Sequence, residues 1–255
     1  MYKTTEISSG NLLSDNPIHQ QQLFPYREIA RNVTGSLLEL GCGWGRGVEL
    51  LQQAATHYTG IDKNCNLVAM LRANYHRANF VAATLPRLDF LADNTFDHVV
   101  SFQVIEHIDD DEHFVREAHR VLKPGGQLFL TTINKRLSLT RNPWHIREYD
   151  TPSLTTLLGR HFSSVHTQGI HGSSRWWTYR QQHEESVRKI TRLDVLNLQH
   201  RLPRHLLRLP YELLNRYNRN RVLRASGTVA EIDHTDFHMG TSAPESLDWY
   251  CVATK

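Results

Sequence analysis

"LLELGCGWGRG", Leu37 to Gly47, is the stretch whose reading decides the fold. An apolar run carrying Glu39 stops at Leu40, and glycine then stands at Gly41, Gly43, Gly45 and Gly47. Such a turn directly after a strand lets backbone approach a ligand closely at the carboxyl edge of a parallel sheet. The surrounding sequence supplies the sheet. Ser36–Leu40 reads as a first strand and Val48–Ala55 as a helix. "HYTGID" follows as a second strand ending on Asp62, Leu67–Ala73 as a helix, then "NFVAA" and "FDHVVSF" as strands three and four. Asp111–Leu122 reads as a helix stopped by Pro124-Gly125-Gly126, ahead of the fifth strand "QLFLTTI". "TPSLTTLLGRHF", with a Thr cap and proline in its first turn, leads into "SVHTQGI", and "LDWYCVAT" closes the chain as a seventh strand. Upstream, "HQQQLFPYREIARNV" places Leu23, Tyr26, Ile29, Ala30 and Val33 on one helical face. Alternating strands and helices, with near-continuous apolar strands, predict an α/β fold: a parallel sheet covered on both faces.

The 255 residues suffice for a full core, with 40% hydrophobic and 22% charged residues in the ordinary globular range. No stretch approaches the roughly 20 apolar residues of a membrane span. The start, "MYKTTEISSGNLLSDNP", lacks the apolar core of a secretory signal. Cys42, Cys65 and Cys251 are scattered without metal-type pairing, so free thiols and a cytoplasmic setting are expected. The net charge of +3 conceals an asymmetry, because twelve bases oppose four acids between Gly172 and Ser226. That segment lies between the sixth and seventh strands, holds helical periods at Val187–Leu198 and Leu206–Leu214, and is punctuated by Pro203 and Pro210. The expected organisation is an N-terminal helical cap over 1–35, a nucleoside-binding core over 36–171, a basic helical insertion over 172–246 serving substrate or lid, and a final core strand over 247–255.

A dinucleotide fingerprint, G-x-G-x-x-G counted from Gly41, needs glycine where Arg46 stands. A phosphate-loop reading fails because no Gly-Lys-Ser/Thr follows. Asp62 nevertheless ends the second strand where a carboxylate would accept both ribose hydroxyls. The pattern describes a ribonucleoside without a pyrophosphate. S-adenosylmethionine fits, and Glu39 could neutralise its amine directly or through water.

"LLELGCGWGRG", "YTGIDKN", "FDHVVSFQVIEHI" and "HRVLKPGGQLFLTT", in that order and spacing, resemble the motifs of class I S-adenosylmethionine-dependent methyltransferases. The resemblance is greatest to the ubiquinone-biosynthesis-type O-methyltransferases and related small-molecule enzymes, and it covers about Ser36 to Ile170 plus the last strand. It implies a Rossmann-like sheet of seven strands, the seventh antiparallel between the fifth and sixth. It also implies that Gly41, Cys42, Gly43 and Gly45 line the methionine and ribose, that Asp62 holds the ribose with Lys63 beside the adenine, and that Phe102 and Gln103 face the methyl-transfer region. Relatives usually carry an acid after the third strand; here Ala82 and Ala83 stand there, so adenine contacts are expected from backbone near Thr84 and Leu85.

Some family members bind a divalent ion through Glu-x-x-Glu-His. The matching positions are Gln103, Glu106 and His107, an amide replacing one carboxylate, so no metal is expected and Glu106 with His107 reads as pocket floor or helix cap. Asp109, Asp110 and Asp111 read as a negative helix start. In "RNPWHIREYDTP", His145, Arg147 and Tyr149 alternate and could share one face of an extended segment. His145 could serve as general base, with His107 a second candidate, and Arg147 could hold an anionic acceptor beside Tyr149. Against this stands a loop in which Trp144 and Tyr149 simply pack. Trp176, at the head of the basic insertion, is a further candidate for acceptor contact.

Methyl transfer from a sulfonium is an in-line displacement in which alignment and water exclusion do most of the work. The expected function is transfer to a hydroxyl of a small molecule: a phenol, quinone precursor, sugar or lipid headgroup. The alternative is a protein lysine N-methyltransferase that docks an acidic protein through the basic insertion. Nucleic acid is not expected, since arginine richness arrives without a binding module. Peripheral membrane contact stays open, and oligomeric state is not fixed by the sequence.

Overall fold

A computed structural model describes residues 12–192, 194, 198–225 and 227–255. The first residues of the polar N-terminal stretch, and part of the Val187–Leu198 period, lie outside the described residues. Eight strands form one sheet: β1 Ser36–Leu40, β2 His57–Asp62, β3 Asn79–Ala82, β4 Phe96–Phe102, β5 Leu122–Ile133, β6 Ser164–Gly172, β7 Phe237–Thr241 and β8 Asp248–Thr254. Their order is β3-β2-β1-β4-β5-β8-β6-β7. The first five strands run parallel, whereas β8 is antiparallel to β5 and β6. The antiparallel closing strand therefore falls where the motif resemblance implied.

The helices are α1 Asn16–Ile29, α2 Val48–Ala54, α3 Cys65–Asn74, α4 Asp111–Val121, α5 Thr151–Gly159, α6 Ser174–Thr191, α7 Leu198–Arg201, α8 Arg204–Ala225 and α9 Thr228–Glu231. One core layer joins Tyr26 and Ile29 of α1, Val48 and Leu51 of α2, and Val68 and Leu71 of α3 to one sheet face. Phe114, Val115 and Ala118 of α4 and Leu154 and Leu158 of α5 cover the other. The predicted apolar face is buried at Tyr26 and Ile29 of α1 and at Val33, with Leu23 and Ala30 half-buried, although the helix ends at Ile29 and not at Val33.

Four local expectations are corrected. First, strand β7 lies within the supposed helical insertion and pairs antiparallel with β6, so residues 237–241 complete the sheet edge. Second, Pro124-Gly125-Gly126 is inside β5, where the register to β4 slips between Phe96 and His98. Gly125, at φ 78°, supplies the left-handed residue of that irregularity. Third, α5 is capped by Asp150, whose side chain accepts from Ser153 N at 2.9 Å in a capping box, and not by Thr151. Fourth, α8 runs through Pro210 without a break. Among the described residues no helix is long and apolar enough to cross a membrane.

Candidate active site

The turn after β1 is built from left-handed backbone. Gly41, Gly43 and Gly45 have φ of 82°, 52° and 80°. A side chain at any of them would be strained, and at Gly41 its Cβ would also lie 2.5 Å from Val104. Gly47 serves differently. Its φ is −95°, and a Cβ there would fall 1.9 Å from the Tyr26 ring, so this glycine makes room for α1.

Asp62, at the tip of β2, faces this turn. Its Oδ2 accepts from Gly43 N at 2.9 Å and its Oδ1 from Asn64 N at 2.8 Å. Each oxygen keeps a second lone pair, which is what a ribose diol needs. These two acceptors thus fit the hydroxyls of a nucleoside. Lys63 and Thr84 are exposed beside it and Leu85 is half-buried, while Ala83 N donates to Asp62 O at 3.1 Å.

Glu39, by contrast, lies behind the turn. It is fully buried, and Tyr26 Oη donates to Oε1 at 2.6 Å while Tyr58 Oη donates to Oε2. Burial pushes its carboxyl upward in pKa against these two bonds and the nearby Arg46 charge. Arg46 is the residue that spoils the dinucleotide fingerprint, and its charge interacts with Tyr26 and Glu39. The expected direct contact of Glu39 with a cofactor amine is therefore replaced by a closed internal network. Cys42 likewise turns its thiol into the core, where burial holds its pKa high, and offers the site only backbone. Phe102 packs edge-on against Tyr26, ring centroids 4.8 Å apart, as a wall beneath the site.

Strain marks the exit of β4. Gln103 has φ 57°, a conformation costing a side-chain-bearing residue about 1–3 kcal/mol. Its backbone N donates to Thr131 O at 2.9 Å, and its side-chain amide donates to Thr131 Oγ1 at 3.4 Å, near enough to Asp248 to favour that residue's charged form slightly. Asp248 opens β8 opposite Ile133, the last residue of β5, which places it at the carboxyl edge of the parallel strands. It is 2% exposed, and Gln21 Nε2 of α1 donates to Oδ2 at 2.7 Å. Burial, reinforced by the Glu106 charge, pushes its pKa up to about 7. Sequence reading passed over Asp248 and Gln21, although an acid at the boundary of an apolar strand is the same signal that flagged Glu39 and Asp62.

The loop after β5 divides its candidates between two places. His145 Nδ1 lies 2.7 Å from Glu148 Oε1 and Nε2 lies 2.8 Å from Asn142 Nδ2, so both ring nitrogens are engaged. His107 Nδ1 bonds Trp144 O at 2.8 Å, and the two imidazoles meet edge to face at 5.0 Å. Arg147 and Tyr149 turn elsewhere, both to Asp111 at the start of α4, the tyrosine at 2.7 Å. They line a cavity of about 700 Å³ together with Pro152, Ser153 and Leu157 of α5. His145, Arg147 and Tyr149 do not share one face, because this segment folds back on itself with Ile146 N and Arg147 N both donating to Glu106 O. Arg147 and Tyr149, the expected acceptor contacts, thus face the α4–α5 side, away from His145.

Donor atoms of Glu106, His107 and His145 lie within 4.8 Å of one another, a grouping the Gln103–Glu106–His107 spacing did not reveal. One carboxylate and two imidazoles could hold a borderline cation of the zinc type better than a hard one. Glu106 Oε2 already accepts from Thr132 Oγ1 at 3.0 Å, and His145 Nε2 faces an amide donor, so the cluster is satisfied as a hydrogen-bonded network.

Trp176 is 3% exposed and packs on Phe237, Trp177 and Gly172, which makes it core where acceptor contact was expected. Several insertion bases also serve internally: Arg180 pairs with Glu184, Arg204 Nη2 donates to Ile146 O at 2.9 Å, and Arg216 and Arg219 both hold Asp15.

Glycine turn, ribose-type aspartate and strand order agree with a methyltransferase domain over residues 38–130 that is similar in sequence and fold to S-adenosylmethionine-dependent methyltransferases. Residues 38–130 match the family described as a methyltransferase domain. A Mycolicibacterium smegmatis protein named "probable S-adenosylmethionine-dependent methyltransferase" is 36% identical over 162 residues, 61% of this chain and 62% of that one. A Pseudomonas aeruginosa ubiquinone biosynthesis O-methyltransferase is 32% identical over 103 residues, 39% of this chain and 44% of that one. The chain thus spans less than two thirds of these relatives. A solved S-adenosylmethionine-dependent methyltransferase from Thermotoga maritima superposes with TM-score 0.60 over 93% of this chain and 91% of that one, at 16% identity, a likeness of fold.

Proposed function

We propose that the protein methylates a hydroxyl of a small molecule, with Asp248 accepting the hydroxyl proton. The supporting observation is Asp248 itself, a carboxyl buried at the carboxyl edge of the sheet and bonded by the Gln21 amide, which burial and the Glu106 charge push up to about 7 against the weaker opposing charge of Arg180. A base poised near operating pH transfers protons most effectively. Gly41, Gly43, Gly45 and Asp62 would hold the nucleoside, and bound S-adenosylmethionine would supply a methyl group on a sulfonium. Gln103 favours the charged form of Asp248, and Gln21 of α1 covers the carboxylate until an acceptor hydroxyl takes the place of its amide at Oδ2.

Labelled donor and cell extract test this reading. Label is expected in an organic or small-molecule extract, and label confined to precipitable protein would overturn it. With the acceptor so identified, Asp248→Asn should lower kcat roughly 100-fold or more and remove a rise in rate through pH 7, with S-adenosylhomocysteine affinity unchanged.

A further inference from the structure

Helix α8 turns an apolar face outward. Leu206, Leu209, Leu213, Leu214 and Tyr217 are 54%, 56%, 64%, 47% and 61% exposed. Their spacing puts them on one side of about three turns, whereas Glu212, Asn218, Arg219 and Val222 on the other side are buried. Single exposed leucines need no explanation, but a contiguous stripe does.

The charge around the stripe selects the occupant. Arg201, Arg221 and Arg224 are exposed, Arg208 turns to the other side over the Trp144 ring at 4.2 Å, and the only acid between Arg201 and Ala225 is the buried Glu212. A second copy of this face would set arginine against arginine. An exposed helix that combines leucines, a tyrosine and arginines, and is too polar to span, matches the plane of a membrane interface. We propose that the outward face of α8, with Arg201, Arg221 and Arg224, docks the protein on an anionic lipid surface. The same helix holds the loop beside the active site, since Arg204 bonds Ile146 O and Ile146 N bonds Glu106 O. Docking would therefore bring the bilayer next to the loop that carries His145 and Ile146. Neither the docking nor this placement rests on the methyl-transfer reading.

Co-sedimentation with vesicles tests it, using pure phosphatidylcholine and phosphatidylcholine containing about one third phosphatidylglycerol. Wild type is expected to bind the anionic vesicles at least tenfold better than the neutral ones, and less well as salt rises. Leu209→Glu with Leu213→Glu should weaken binding tenfold or more, and Arg221→Glu with Arg224→Glu should flatten the salt dependence. All four positions are solvent-facing, so circular dichroism and S-adenosylhomocysteine affinity should match wild type. Equal binding by wild type and both variants, or no vesicle binding, overturns the proposal. So does light scattering in which Leu209→Glu with Leu213→Glu converts a dimer to a monomer, because the face then belongs to a second copy.

Discussion

Gln21 Nε2 donates to Asp248 Oδ2 at 2.7 Å, tying the first described α-helix to the opening residue of the last strand. The bond holds a carboxyl under cover where its charge is costly, and the two ends of the described chain thereby meet at one titratable group.

That group gives stability a sign with pH. The folded pKa of Asp248, about 7, stands above the roughly 3.9 of an unfolded aspartate. The folded state therefore holds the proton more tightly, and stability falls as pH rises from about 4 to about 7, then levels. Three units correspond to roughly 4 kcal/mol at most. Urea midpoints measured between pH 4 and 8 should show wild type losing stability relative to Asp248→Asn. A constant difference across that range would contradict the buried acid.

Asp62 combines two duties, bracing Gly43 N and presenting lone pairs to a diol. Hydrogen bonds to a charged group contribute about 1.5–3 kcal/mol each. Asp62→Ala should weaken S-adenosylhomocysteine binding by about 100-fold or more by calorimetry. Asn at this position keeps one acceptor and should lie between the two.

The sequence was explicit about the sheet because apolar runs, turns and acids at strand tips are local signals. Ser36–Leu40, "HYTGID" and "FDHVVSF" coincide with β1, β2 and β4 for that reason. What stayed hidden depends on contacts between distant segments. Nothing near Glu39 announces Tyr26 or Tyr58, and nothing near Gln103 announces Asp248. The edge strand β7 is five residues, "FHMGT", with a glycine and no continuous apolar run, so its pairing with β6 is visible only in three dimensions. Arg147 alternates with His145 on paper, yet the turn around Glu106 O sends them to different partners.

Gly47 tests whether the fourth glycine is a ligand or a packing residue. A Cβ there would lie 1.9 Å from the Tyr26 ring, which cannot move without breaking its bond to Glu39. Gly47→Ala should destabilise the protein by about 1–3 kcal/mol, in the range of overpacked cores. A thermal melt at unchanged midpoint would show that α1 gives way freely.

The Glu106–His107–His145 cluster carries its own hydrogen bonds, so chelation should leave function untouched. Turnover and S-adenosylhomocysteine affinity after dialysis against EDTA are expected to equal those before. Activity lost on chelation and restored by zinc or magnesium would place a cation there.

Asp15 accepts from Arg216 Nη1 at 2.7 Å and Arg219 Nη1 at 3.0 Å, anchoring α8 to the segment just ahead of α1. Asp15 is 1% and Arg219 7% exposed, so removing the carboxylate strands a buried guanidinium. Breaking a buried pair from one side costs about 3–5 kcal/mol. Asp15→Ala should therefore lower the urea midpoint strongly, while Asp15→Asn, which keeps an oxygen acceptor, should lose less. The double variant Asp15→Ala with Arg219→Met should recover part of the loss, because no unpaired charge remains at that position. If the single and double variants unfold at the same urea concentration, the cost comes from lost packing and not from the stranded charge.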